Sequence, residues 1–384
     1  MALRVGSEHG DEQFWLSNKI HIKIDPFGPE KFKFIYFEVD EWIGGKLPEG
    51  RLQLRATELP AQDKVIEKTN FFKIIIEQDD PVDKYEIYCY ITERNWSPEN
   101  GNFLVKFVCV PNTKDGKNGK FYTKTKRRKF KGKPIKDVIK EVWGTSDTPG
   151  FRWKTDANPP AEDWSQDRWT DLEFLKRLCI SVKKKTLYCF DVEGLMIKDI
   201  YWKKDRVYPD KPEPYRVVKG YASHQPIQDN INSRYNPKLY RDIENACTDG
   251  EYAYGREISK NFDLEIHEDT YRIYHSDINT RSNIYKYNVR LLETNLYNGV
   301  VLRYTDNLPP LRLMDTIKYG KGNEREEPTI STYMVTNVHF FISGDEAHRD
   351  EYGSTCSFEF VLRGTVDVNG QELPDSESQD PGQK

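Results

Sequence analysis

Ile20, Ile22 and Ile24 alternate with His21 and Lys23, and the same two-residue period returns further along the chain. In KYEIYCYI, Tyr85, Ile87, Cys89 and Ile91 share one face, opposite Lys84, Glu86, Tyr88 and Tyr90. NFLVKFVCV puts Phe103, Val105, Phe107 and Cys109 on one side. Alternation of this kind, broken by turn-forming stretches such as IGG and KDGKNG, predicts antiparallel strands. Residues 1–130 therefore read as all-β, closing into a first small barrel or sandwich.

Near residue 131 the period changes. Ile135, Val138, Ile139 and Val142 recur at i, i+3, i+4 and i+7, which makes one apolar stripe on a helix. Pro134 suits the first helical turn and Gly144 the residue just past the end. A tryptophan-rich loop follows (Trp153, Trp164), with Pro159 and Pro160 in it. In WSQDRWTDLEFLKRLC, Thr170 and Glu173 have the spacing of a capping box, each side chain satisfying the other's free backbone amide. Trp169 and Phe174 occupy the two positions of a hydrophobic staple. Leu172, Leu175, Leu178, Cys179 and Val182 form the buried stripe of this second helix. Lys183, Lys184 and Lys185 stand near its carbonyl end, where positive charge opposes the helix dipole. TLYCF and LMIKDI then predict two strands joined through DVEG, so residues 131–200 read as a helix–helix–hairpin module.

Residues 201–280 give weaker patterns and read as a connecting or insertion region. KKDRVYPDKPEPY predicts a loop, NPKLYRDIENAC a short helix, and NFDLEIHEDTYRIY a strand or irregular segment. Strand character returns over 281–365, in YNVRLLETNLYNGVVLRY, LMDTIKYG, STYMVTNVHFFISGD and STCSFEFVLRGTV. The tail, 366–384, lacks apolar residues and is expected to be disordered.

Composition narrows this picture. The 384 residues are 37% hydrophobic, 31% charged and 13% aromatic, with a mean hydropathy of −0.80. A core made from few but large rings, 23 Tyr and 19 Phe among them, favours sheet. The formal net charge of −4 gives no bulk attraction to nucleic acid or anionic membrane. No long apolar run predicts a membrane span and no secretory leader is visible. Cys89, Cys109, Cys179, Cys189, Cys247 and Cys356 show no zinc-like spacing and read as reduced core residues of a chain folded in a reducing cytoplasm.

Chemistry-bearing patterns are sparse. The seven histidines are scattered, and His267 with Glu268 and Asp269 lacks the spacing of a metal centre. No nucleophile elbow, Walker loop or dinucleotide fingerprint occurs. The basic run KTKRRKFKGK, residues 124–133, reads as a solvated hairpin edge, with a nucleic-acid patch as the alternative. The four tryptophans from Trp143 to Trp169 read as caps on the two helices, with a sugar-stacking platform as the alternative. Catalytic, cofactor-binding and metal residues are accordingly expected to be none.

Taken together, KFKGKPIKDVIKEVW, WSQDRWTDLEFLKRLC and the TLYCFDVEGLMIKD hairpin, following a β-rich region, resemble the central hub protein of contractile bacteriophage tail baseplates. That family includes the hub portion of type VI secretion VgrG spikes and the late-control tail proteins. Asp171, Leu172, Phe174, Leu175 and Leu178 match its second helix, with Thr170 where the family usually has Ser, and Asp199 matches the end of its hairpin. LPPLRLMDTIKYG, STYMVTNVHFFISG and STCSFEFVLRG are similar to its second barrel, where a strand carries a histidine, here His339. Residues 201–280 are longer than in minimal late-control proteins and closer to the larger myophage hubs.

The resemblance implies a mainly β fold with a smaller α/β part, two similar small antiparallel β-barrels joined by the helix–helix–hairpin module. Trp169, Thr170, Glu173, Phe174, Leu175 and Leu178 would form the structural brace between them. It further implies a non-enzymatic homotrimer in the virion tail baseplate, assembled in the host cytoplasm. Its partners would be a central spike protein, a tail-tube or tube-initiator protein and neighbouring baseplate proteins. DNA would pass without specific binding, and the chain would insert into no membrane. A tail-associated cell-wall or polysaccharide hydrolase, or a type VI-like spike hub, are the alternatives.

Overall fold

The computed structural model describes residues 20–57, 63–79, 82–97, 99–144, 150–157, 159–182, 186–199, 311–321, 329–344 and 356–364, together with strands at 14–15, 224–227, 240–242, 271–273 and 299–305. The N-terminal part holds β1 (Phe14–Trp15), β2 (Ile20–Asp25), β3 (Phe32–Ile43), β4 (Glu49–Ala56), a short α1 (Asp63–Lys68), β5 (Phe71–Asp79), β6 (Val82–Ser97) and β7 (Asn102–Cys109). Next come α2 (Lys114–Lys117), α3 (Lys120–Thr123), β8 (Lys126–Lys133), α4 (Ile135–Trp143), β9 (Phe151–Lys154), β10 (Glu162–Trp169), α5 (Asp171–Ser181), β11 (Thr186–Asp191) and β12 (Gly194–Asp199). The remainder supplies β13 (His224–Ile227), β14 (Tyr240–Asp242), β15 (Tyr271–Ile273), β16 (Gly299–Thr305), β17 (Thr316–Lys321), β18 (Thr329–Ser343) and β19 (Cys356–Gly364).

The period-2 faces go where the alternation sends them. Ile20, Ile22, Ile24, Ile87, Cys89, Phe103, Val105 and Phe107 are all buried. Their sheet curls around a knot of rings. Phe27 lies 5.3 Å from Phe32, 5.4 Å from Phe103 and 6.2 Å from Phe72. Phe107 stacks on Phe37 at 5.4 Å and meets Phe72 edge-on at 5.3 Å. Each such ring, fully removed from water, stabilises the fold by about 1.5–3 kcal/mol before chain entropy opposes it.

The architecture is mainly β, yet no closed barrel forms among the described residues. The strands run β1-β2-β5-β6-β7-β4-β3-β18-β19-β16-β13 through one sheet. Closing a first barrel would require β2 to meet β3. Instead β2 lies between β1 and β5. On β3, one edge takes β4 and the other takes β18. The N-terminal and C-terminal sheets are therefore continuous through β3.

A bulge between Phe34 and Tyr36 shifts the inward parity of β3. Phe32 and Phe34 point in before it, and Ile35, Phe37, Val39, Glu41 and Ile43 after it.

Several local expectations change. Asp63–Lys68 is helical within the stretch read as all-β. KDGKNG, read as a turn, forms the short helical turn α2, capped by Thr113 Oγ1, which accepts from Gly116 N at 3.0 Å, and Gly119 then leads into α3. Where the Trp-rich loop was expected, β9 adds in parallel to β12 and β10 pairs with β8. The short helix expected over NPKLYRDIENAC contains instead β14, because Tyr240–Asp242 find a parallel partner in Tyr271–Ile273. The loop expected at KKDRVYPDKPEPY, the tail 366–384, Lys183–Lys185 and His267–Asp269 lie outside the described residues. Cys89, Cys109, Cys179, Cys189 and Cys356 are buried and in no disulfide, and Cys247 lies outside. No helix among the described residues is long and apolar enough to cross a membrane.

Candidate functional site

The brace residues converge at the start of α5. Thr170 is extended and caps the helix: its Oγ1 accepts from Glu173 N at 3.2 Å, and Glu173 Oε2 accepts from Thr170 N at 2.8 Å. Arg168, at φ 60°, sits in a bulge of β10 just before the cap. The bulge re-aims the chain so that Trp169 stacks on Phe174 at 6.1 Å. Phe130 of β8 stacks on Phe174 at 5.8 Å, and Arg177 lies 4.5 Å from the Trp169 ring centroid. Phe174, Leu175 and Leu178 are fully buried, as is the α4 stripe of Ile135, Val138, Ile139 and Val142.

The basic run folds inward on this helix start. Lys126 Nζ and Arg128 Nη2 both donate to the buried Asp171 carboxylate. Gln166 joins them, its Oε1 accepting from Arg128 Nε at 2.7 Å and its Nε2 donating to Asp171 Oδ1 at 3.1 Å. Lys126 also pairs with Asp115 at 2.5 Å, Arg127 with Asp167 at 3.1 Å and Lys133 with Glu141 at 2.6 Å. The strand reading of this run holds, but its partner is β10 and much of its charge is matched within the chain. The tryptophans form no common platform. Trp143 stacks on Phe190 at 5.9 Å in the core, while Trp169 packs on Phe174.

The hairpin is the other half of the site. Asp191 and Gly194 are register partners around a Val192–Glu193 turn. Gly194 (φ 134°) and Gly150 (φ 95°) pass so closely that a Cβ on Gly194 would stand 2.1 Å from Gly150 O. Only glycine fits there, and Leu195 N donates to Gly150 O at 2.7 Å. β11 pairs antiparallel with the end of β3, with Cys189 opposite Ile43, and Gly44 N donates to Tyr188 O at 2.9 Å. On its other flank Lys198 Nζ donates to Met314 O at 2.8 Å. Asp199, at the end of β12, accepts from Thr155 Oγ1 at 2.6 Å and Asp156 N at 3.1 Å.

Beneath the turn lies a charged cluster that the sequence patterns did not single out. Glu41 of β3 is buried and accepts from Val192 N at 2.6 Å. Arg152 of β9 donates to Asp191 and, at 2.7 Å, to Glu193, whose other oxygen lies 3.5 Å from Arg312. Arg312 in turn lies 4.0 Å from the Tyr85 ring centroid. Burial, and next the charge of Asp191, push the Glu41 carboxyl up to about 8, against the smaller pull of Arg312 and Arg152. One cluster thus ties β3, β9, the hairpin and the 311–315 segment together. A cleft of about 450 Å³ opens beside it, with Tyr88, Cys109, Trp143, Arg152 and Glu193 in its wall.

His339 marks the seam between the sheets. It is the register partner of Asp40 across β18 and β3, and its Nδ1 lies 2.8 Å from Asp40 Oδ1. Among the described residues no group of three His, Cys, Asp or Glu could hold a metal ion.

No protein-family model matches this chain, and no curated protein does. Among solved structures it is similar to an E. coli component of the type VI secretion system described as structurally similar to T4 bacteriophage tail proteins. That likeness has a TM-score of 0.49 and 11% identity over 92% of this chain and 79% of that one. A tail protein from Neisseria meningitidis MC58 gives 0.48 and 9% over 90% and 96%. The 43 kDa tail protein of prophage MuSo2 from Shewanella oneidensis gives 0.46 and 10% over 93% and 99%. At such identities the likeness is one of fold.

Proposed function

We propose that this chain is the structural hub of a phage tail baseplate, a homotrimer that seats a threefold central spike and receives the sixfold tail tube. Each chain would contribute two barrel-like units, one on either side of β3, so that three chains place six units around the axis. Residues 131–200 serve as the brace between them, and residues 281–365 carry the second unit. The observation that carries the reading is the convergence on β3 and the hairpin: β4, β18 and β11 all pair with β3, and Lys198 and Glu193 reach the 311–315 segment. A symmetry adaptor needs such a rigid connection, because any hinge between its units would blur the match of threefold to sixfold.

Charge supports the same reading. The chain carries −4, and the basic run meets Asp115, Asp167, Asp171 and Glu141 of the same chain. Much of that run's charge would then be withheld from phosphates, in keeping with DNA that moves through the bore without being held.

The test is assembly from purified components. Mixed with a candidate spike protein and a candidate tail-tube protein, the chain should join both and nucleate a tube ring. It should clear no zone in a peptidoglycan gel. A cleared zone, together with failure to bind either partner, would replace this reading with that of a tail-borne hydrolase.

A further inference from the structure

Cys89 of β6 and Cys109 of β7 are register partners in the antiparallel sheet. Val110 N donates to Tyr88 O at 2.8 Å, which makes Tyr88 and Val110 the hydrogen-bonded pair and Cys89 and Cys109 the non-hydrogen-bonded pair beside it. In such a pair the Cα atoms stand about 4.5 Å apart, with the side chains on the same face. That separation lies inside the roughly 4.4–6.8 Å that a disulfide spans. Cys109 is close enough to raise the proton affinity of the Cys89 thiol. None of the other described cysteines has a cysteine opposite it: Cys189 faces Met196 and Ile43, and Cys356 faces Ile342.

Cys109 also has a route to solvent. It stands in the wall of the 450 Å³ cleft beside Tyr88 and Asn112, whereas Cys89 is fully buried. Burial, and then its neighbour, push the Cys89 thiol well above its ordinary range. The first attack therefore falls to Cys109, and Cys89 acts as the resolving thiol.

We propose that Cys89 and Cys109 form a reversible cross-strand disulfide when the folded chain meets a small-molecule disulfide. Cys109, as thiolate, attacks one sulfur of the oxidant and releases the first small thiol. Cys89 then gives up its proton and attacks Cys109 Sγ, releasing the second. Two protein thiols are oxidised, the oxidant disulfide is reduced to two thiols, and the electrons balance. The bond would pin β6 to β7 just where the chain leaves the sheet through Val110 and Pro111 toward the brace.

The test is oxidation of the folded, full-length chain with excess glutathione disulfide. Two of the six thiols should be lost, an unreduced peptide map should join the Cys89 and Cys109 peptides, and dithiothreitol should restore both. The thermal midpoint of the oxidised chain should rise. Cys109→Ser should keep every remaining thiol under the same treatment, and if that variant does not fold, the map of the unaltered chain decides alone. A map without that linkage, a linkage between other cysteines, or a linkage made only in urea would overturn the proposal.

Discussion

Replacing Glu41 by Gln should abolish a pH dependence built into the junction. In the folded chain the Glu41 carboxyl titrates at about 8, against an ordinary value of 4.5. A raised carboxyl means that the folded state keeps a proton the unfolded state has already lost. Stability must therefore fall as pH rises from about 4.5 to 8 and level off above that. At about 1.4 kcal/mol per pH unit, the loss from this one residue reaches about 3 kcal/mol at pH 7 and about 4 kcal/mol at pH 8. Gln keeps the oxygen that accepts from Val192 N and removes the ionisation beside Asp191. Urea unfolding of both proteins at pH 5, 6, 7 and 8 reads the effect directly, because every other titrating group is common to the two. The variant should match the parent within about 1 kcal/mol at pH 5 and exceed it by about 3 kcal/mol at pH 7. Parallel stability profiles from pH 5 to 8 would refute the reasoning, since Glu41 would then be as easily ionised in the fold as in the unfolded chain.

Phe174→Ala removes a fully buried ring stacked on Phe130 and Trp169, and denaturant unfolding should register a loss of about 3–5 kcal/mol. Thr170→Ala removes the Oγ1 half of the capping box and keeps the backbone half to Glu173 Oε2, and should cost about 1 kcal/mol, read as a lower unfolding midpoint at unchanged slope. Asp171→Ala removes the buried carboxylate that Lys126 and Arg128 share and leaves them only Asp115 and Gln166. It should cost about 3–5 kcal/mol, while Asp171→Ala combined with Lys126→Met and Arg128→Met should recover part of it. Gly194→Ala forces a Cβ to within 2.1 Å of Gly150 O at a φ of 134°, and should leave little soluble folded protein on expression.

Local periodicity made the elements legible where one face is buried and the other wet. Ile20, Ile22 and Ile24, the Phe103 to Phe107 strand and the Ile135 to Val142 stripe needed no information beyond their spacing. The α5 start was equally readable, because capping box and staple are contacts between residues three to five apart. β10 was not: EDWSQDRW buries only Gln166 well, and it is a strand because β8 offers a partner. Nor does anything local in Asp40 announce His339, about 300 residues away, so the continuity of the two sheets through β3 had no signature in either strand.

Glu41 did leave a trace. It stands on the inward parity with Phe37, Val39 and Ile43, where a carboxylate belongs only if something buried receives it. The bulge at Phe34–Tyr36, which sets that parity, hid the trace. Asp191, Arg152 and Arg312 come together from three separate segments, a juxtaposition that only the folded chain creates.

The mass of the purified full-length chain in solution, alone and with the spike protein, tests the hub reading most directly. At micromolar concentration the account predicts a species three times the 45.2 kDa chain, stabilised further when spike protein is added. A strictly monomeric chain under both conditions would contradict it.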